Sequence, residues 1–488
     1  MAGFNLVRNA RAFFTTNVNA TSKVVTLTGH TAASTNDLQV LNGFSFSQNT
    51  ESQTITVSEA GVAPARGQRA FNTALAPVEF SFSTYIRPSG SGPVDCEEKV
   101  LWNALLSSQA IDLTGLSVST VSAFTRTANL DTVTFTCAAA NLSGAGIAVG
   151  DVITISTITG TDAQEWNAPA ILDAITAGTA SAATGIRIKY LRAPAGAATS
   201  PATAPTSLKI HKGAITQNAL AGTEAAYLLA HAGGSNKNQL QAFGIIVSVD
   251  NVTYLLDNCA LNQASIEFGL DGIAMVAWTG NATAMRQLGA TTATTGTFGG
   301  ASGITGSYTQ KNTSANFITN KLSTVTLASN LRGLGTSTSY TVAITGGNLT
   351  INNNINYVTP EILGVVNAPI GYFTGTRAIS GNLTAYLKTG TNTTGTLLTD
   401  MLSAASTATE TKYAMEIAVG GHTNAVKVEL DMPAVSLQIP SVETQDVIST
   451  TINFTAEGFD GSTSAAAGGT ASYDLEAVNE LFVRYYSA

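Results

Sequence analysis

The residues able to do chemistry in this chain are few and scattered. Four histidines, His30, His211, His231 and His422, stand far from one another and from the three cysteines, Cys96, Cys137 and Cys259. No spacing puts two ligands on one hairpin or helix face, so neither a zinc site nor a disulfide framework is expected. His422, in Gly-Gly-His-Thr-Asn, reads as a hairpin turn, and His30 and His211 also stand in polar, loop-like sequence. Asp250, Asp257 and Asp271 fall where turns and strand ends are expected, and Asp favours turns by accepting bonds from nearby backbone amides. Gly144-Ala-Gly-Ile-Ala-Val-Gly150 approaches a dinucleotide fingerprint, but it lacks the third glycine at the right spacing and leads into a strand. It reads as a turn. Neither a GxxxxGK phosphate loop nor a GxSxG nucleophile elbow occurs. Trp102 and Trp278 fit a core better than a stacking site. The expectation is a chain that is not an enzyme, with no catalytic residue, no cofactor and no metal.

Composition points the same way. Charged residues are 11% of the 488 and hydrophobic residues 44%, where soluble domains carry roughly 25% charge. Such a chain can build cores but has little charge for a solvated exterior, as expected of a surface covered by neighbouring subunits or of a secreted or adhesive β-protein, and composition does not decide between them. The net charge of −8 argues against a dedicated nucleic-acid binder, without excluding a conduit for DNA. Arg66 and Arg69, in Ala-Pro-Ala-Arg-Gly-Gln-Arg-Ala-Phe71, form the one local basic cluster and are candidates for an inter-subunit loop. Behind the first arginines there is no apolar run, and no stretch approaches about 18 apolar residues, so neither a secretory signal nor a membrane helix is expected.

Period-two alternation dominates, as in Phe80-Ser-Phe-Ser-Thr-Tyr-Ile86, and marks half-buried strands. Helical spacing is confined to Cys96–Leu106 and Leu397–Leu402. The chain also repeats itself. Asn42-Gly-Phe-Ser-Phe-Ser-Gln-Asn49, Phe80–Ile86 and the first helix are echoed by Gly347-Asn-Leu-Thr-Ile-Asn-Asn-Asn354, Gly381-Asn-Leu-Thr-Ala-Tyr-Leu387 and the second. Phe44 and Phe46 match Leu349 and Ile351; Phe82 and Tyr85 match Leu383 and Tyr386. Phe243–Val249, Val252–Leu256 and Gly272–Trp278 then parallel Tyr413–Val419, Ala425–Leu430 and Val447–Phe454. The expected organisation is a first module over 1–116 and 210–290, interrupted by an inserted β-domain at 117–209. A Thr/Gly/Ala/Ser-rich linker at 291–320 and a second module at 321–488 follow.

These strings, with Thr54-Ile-Thr-Val-Ser-Glu-Ala-Gly61, Leu101-Trp-Asn-Ala-Leu105, Cys259-Ala-Leu-Asn-Gln-Ala264 and Ile439-Pro-Ser-Val-Glu-Thr-Gln-Asp-Val447, resemble the major tail tube proteins of long-tailed siphophages. The closest likeness is to the subfamily with a duplicated tube module. The resemblance implies a mainly β fold of two tandem β-sandwich modules, each with a short helix, whose inner sheets join into a ring-wide β-barrel. It implies trimeric rings stacked into a hollow conduit, in a virion tail assembled in the host cytoplasm, through which viral DNA passes without specific binding or membrane contact. Tape measure, tail terminator and distal tail or baseplate proteins are the implied partners. Such members carry a C-terminal decoration, whereas the extra domain is expected here between helix and hairpin. Candidate lumen-lining residues are the polar partners in the alternating strands: Ser45, Ser47, Ser81, Ser83, Thr350, Asn352, Asn382 and Thr384. A β-rich adhesin or receptor-binding virion protein is the alternative.

Overall fold

Alternating apolar and polar side chains stand on opposite faces of an extended backbone. The computed structural model is accordingly mainly β, with α-helices at Lys99–Leu106 and Thr394–Ser406. It describes residues 10–41, 44–56, 68–87, 96–106, 115–126, 132–160, 166–167, 169–190, 200–212, 224–228, 240–250, 252–300, 303–311, 317–328, 339–363, 366–406, 412–420, 427–440, 442–443, 449–457 and 480–486.

In the first half, antiparallel neighbours run Thr35–Leu38, Ala10–Thr15, Phe243–Val249, Val252–Gly269, Met275–Ala282, Gln68–Tyr85, Ser45–Thr56. In the second half they run Ser339–Val342, Thr324–Ala328, Lys412–Val419, Lys427–Leu437, Ser449–Glu457, Ala378–Tyr386, Ile344–Asn352. Strand for strand, the order is the same. Even an irregularity recurs: the register shifts between Phe243 and Ile245, and again between Tyr413 and Met415. Trp278 faces Phe82 where Ile452 faces Leu383, so the expected matches of Phe82 with Leu383 and Tyr85 with Tyr386 hold position on the ladder. The match of Phe46 with Ile351 does not. Phe46 opposes Phe80 and Leu349 opposes Gly381, so Phe46 answers to Leu349. A two-residue offset keeps every side chain on its face, which is why alternation alone could not detect it.

The halves join edge to edge. Beyond its pairing with Phe243–Val249, the long strand Val252–Gly269 takes Ile344–Asn352 alongside, with Ala264 opposite Ile351 and Ile266 opposite Leu349. Side chains from these sheets and the helix Lys99–Leu106 meet in one large core, where Trp102 and Trp278 are fully buried with ring centroids 4.9 Å apart. The C-terminal strand Phe482–Tyr486 pairs with Lys427–Leu437 on one edge and Glu224–Leu228 on the other.

A second, seven-stranded antiparallel sheet takes all its strands from between Leu116 and Lys212 and has its own core, with Phe124, Phe135, Trp166 and Tyr190. The segment 291–320, expected as a linker, is packed instead. It forms a three-stranded sheet whose Phe298, Ile304 and Tyr308 bury against Phe13 and Val25. Three large apolar side chains suffice to anchor an otherwise low-complexity stretch. Helix Lys99–Leu106 begins after Glu97 and Glu98, so the acids precede its first turn, and Thr394–Ser406 extends beyond its expected bounds at both ends.

Candidate functional site

From the strand Ser45–Thr56 to the strand Ser449–Glu457, seven strands form a continuous ladder with one buried and one open face. Phe80, Phe82, Val276, Trp278, Ile266, Leu349, Ile351, Leu383 and Ile452 point inward. The opposite set includes every candidate lining residue. Ser45 and Ser81 are cross-strand partners whose hydroxyls lie 2.8 Å apart, and Ser47 opposes Glu79. Ser83 opposes Ala277, Thr350 opposes both Ser265 and Ser380, and Asn352 opposes Gln263 and Ala378. Asn382 lies between Asn348 and Asn453, and Thr384 opposes Thr451. All eight are thus gathered on one surface.

The candidate set left out the three strands that fill the gaps: Met275–Ala282 and Ser449–Glu457, both expected as strands but not placed on this face, and the second part of Val252–Gly269. They add Thr279, Asn281, Ser265, Glu267, Thr451, Asn453 and Thr455 to the face. Their alternation was visible, but which phase faced outward required the pairing. Over the rows shared by these strands, Glu79, Glu267 and Glu457 are the charged residues on the open face among the described ones; no Lys or Arg of these strands stands there, and Lys412 of a neighbouring strand bonds Glu457 at 2.7 Å.

The internal seam is fastened as well as paired. Buried Asn353 donates through Nδ2 to the carbonyl of Leu105 at 2.9 Å and of Leu261 at 3.3 Å, and its backbone N–H donates to Asn262 at 2.8 Å. Asn262 Oδ1 accepts from the N–H of Ile355 at 2.8 Å, and the Tyr357 hydroxyl donates to the carbonyls of Asn281 and Asn258. The outer ends of the ladder carry no such partner among the described residues: Ser45–Thr56 pairs solely with Gln68–Tyr85, and Val442–Glu443 solely with Ser449–Glu457.

A buried polar group sits beneath the first helix. Trp102 Nε1 donates to the Tyr485 hydroxyl at 2.8 Å, which donates to Glu98 Oε1, while Glu98 Oε2 has no partner among the described residues. Burial pushes the Glu98 carboxyl up to about 8, so it is protonated near neutrality. Burial and then the neighbouring Glu98 push Tyr485 well up.

The remaining candidates lie elsewhere. Arg66, His231 and His422 are outside the described residues; Arg69 is in a strand, opposite Ile55, rather than in a loop. His30 and His211 are buried, not in surface loops. His30 Nδ1 and Nε2 bond Thr35 and Thr26, and burial lowers its pKa; His211 bonds Ser156. His30 is satisfied by polar neighbours in sequence, His211 by a residue of another strand. Asp257 is not in a turn but mid-strand, held by Arg286 at 2.5 and 2.8 Å while accepting the Val25 N–H. Among the described residues, no three His, Cys, Asp or Glu side chains cluster to hold a metal, and no helix is long and apolar enough to cross a membrane.

No protein-family model matches the chain. It is 24% identical over 485 residues to the tail tube protein pb6 of Escherichia phage T5, an alignment covering 98% of this chain and 78% of that protein.

Proposed function

We infer that this chain is a structural subunit of a phage tail tube, a component of the virion tail assembled inside the host cell. An adhesin is not favoured, because the likeness spans 98% of the chain rather than one module of it. The observation that carries the finer reading is the open ladder: among the described residues, a polar face with no Lys or Arg in its shared rows, ending in two strand edges without a partner. Unpaired edges invite strand addition, and a head-to-tail contact whose rotation closes generates a ring. Two tandem modules per chain and three chains per ring would bring six inner sheets into one barrel, with the polar face as its lumen. Rings stacked end to end would then meet tape measure, terminator and baseplate proteins along the tail.

DNA carries one negative charge per roughly 1.7 Å of axis, and a basic wall would hold it by counterion release. A wall of Ser, Thr and Asn with Glu79 and Glu267 lets it slide without specific contact. Electron microscopy of assembled protein tests the reading. Rings of three chains with a negative lumen are expected; rings of six whole chains, or a lumen lined mainly by Lys and Arg, would overturn it.

A further inference from the structure

We propose that the seam between copies repeats, in register, the seam the chain already makes with itself. Val442 and Glu443 of one copy pair antiparallel with Phe46 and Ser45 of the next, Val442 opposite Phe46 and Glu443 opposite Ser45. The proposal rests on the tube reading and adds to it which residues meet.

The register follows from the ladders. The shared irregularity aligns Cys259, opposite Phe243, with Val435, opposite Tyr413. Counting on from there places Ile266 with Val442 and Glu267 with Glu443. An independent ladder agrees: Ile266 and Glu267 face Val276 and Met275, while Val442 and Glu443 face Thr450 and Ser449, the positions that Ile452 opposite Leu383 and Trp278 opposite Phe82 make equivalent. On the other side of the seam, Leu349 and Asn348 answer to Phe46 and Ser45. Inside the chain, Ile266 opposes Leu349 and Glu267 opposes Asn348. Transferring that register gives the proposed pairs.

The edges fit this use. Pairing of Lys412–Val419 with its neighbour ends at Ser436, just as pairing of Phe243–Val249 ends at Cys259, and beyond those points Ile344–Asn352 joins the first strand while, among the described residues, no strand joins the second on that side. Pro440, in the place of Ala264, has no N–H to donate across the seam, so the pairing between copies is carried beyond it, at Val442 and Glu443.

The test mixes single variants Ser45→Cys and Glu443→Cys, each in a Cys137→Ser background because the other cysteines are buried. Directly opposed Cβ atoms lie about 5 Å apart and diagonal ones about 7–8 Å, and a disulfide needs roughly 4 Å. Mild oxidation of assembled or concentrated protein should therefore yield covalent dimers about tenfold faster from Ser45→Cys with Glu443→Cys than from Ser47→Cys with Glu443→Cys. Equal rates, or no disulfide in either mixture, would overturn the register. A density map of assembled wild-type protein reads the partners even if a variant misfolds. Tubes whose seam pairs other residues would sink the register alone; particles with no strand pairing between copies would sink the tube reading with it.

Discussion

The two halves of the chain run the same seven strands in the same order, yet they reach that order with different side chains. The clearest case is one cross-strand pair. In the first half Gly280 opposes Phe80; at the equivalent place in the second half Phe454 opposes Gly381. A Cβ on Gly280 would come within 2.5 Å of the Phe80 ring, and one on Gly381 within 2.6 Å of the Phe454 ring. One aromatic ring fills the volume in each half, from opposite strands. What the halves share is therefore a filled core and a ladder, not a set of residues. The same difference separates the seams: the internal one is clamped by Asn353 and Tyr357, while the outer edges carry no partner among the described residues.

Moving the ring across the ladder tests this comparison most severely. Phe80→Gly should cost about 5 kcal/mol, from the roughly 3–5 of removing a buried ring and up to about 1 for a strand glycine. Gly280→Phe alone drives a ring into Phe80 and the carbonyl of Ala260, and should prevent folding. The double variant removes the ring-on-ring clash and leaves the approach to the Ala260 carbonyl, so it should fold where Gly280→Phe alone does not and recover part of the loss of Phe80→Gly, read by denaturant midpoint. A double variant that fails to fold would show that the halves are alike in order only.

The buried carboxyl beneath the first helix gives a smaller effect with a definite sign. Unfolded, Glu98 releases its proton near 4.5; folded, near 8. Its neutral form fits the core, so stability is fully present below pH 4.5 and lost as pH rises towards 8, by at most about 5 kcal/mol. Glu98→Gln should flatten that slope, and a variant as steep as wild type would place the titration elsewhere. At the seam, Asn353→Ala leaves the carbonyls of Leu105 and Leu261 without this donor and should cost about 1–3 kcal/mol, read by denaturant midpoint. No change there would mean the strand pairing alone holds the halves together.

Much of this was legible from period-two patterning. Phe243–Val249 is a strand over its expected bounds, and Phe80 and Phe82 are buried as alternation requires. That the eight polar candidates share one open face was legible for the same reason, since one face of a strand fixes the other. The two-residue offset between Phe46 and Ile351 was not, because a shift of two leaves the pattern unchanged. His211 and Asp257 were misread because a hydrogen-bonded polar residue in a core resembles a loop residue until its distant partner, Ser156 or Arg286, is known, and His30 because its near partners Thr26 and Thr35 make its surroundings read as loop. The packing of 291–320 escaped because its anchors, Phe298, Ile304 and Tyr308, find their contacts with Phe13 and Val25, far off in sequence.

The largest difference between the halves should have the smallest effect on the rest. The seven-stranded sheet between Leu116 and Lys212 shares no ladder with the other strands among the described residues and closes its own core. Its first and last strands are partners: Leu116 opposes Ile210 and Ser119 opposes Ser207. Chain entry and exit are thus one inter-strand spacing apart, about 5 Å, which a short flexible linker spans at small entropic cost. We expect that replacing Leu116–Lys212 by a Gly/Ser linker removes the insertion and leaves a chain resembling two second halves. Its melting temperature should stay within a few degrees of the full chain, since a change of about 1 kcal/mol moves a large domain by only about 2–4 °C. It should also still form rings, because both free edges, Ser45–Thr56 and Val442–Glu443, lie outside the deleted stretch. Rings imaged without the insertion would place it on the outside of the tube, as a decoration the ladder does not need. A variant that folds with unchanged melting but no longer assembles would instead make the insertion part of the contact between copies.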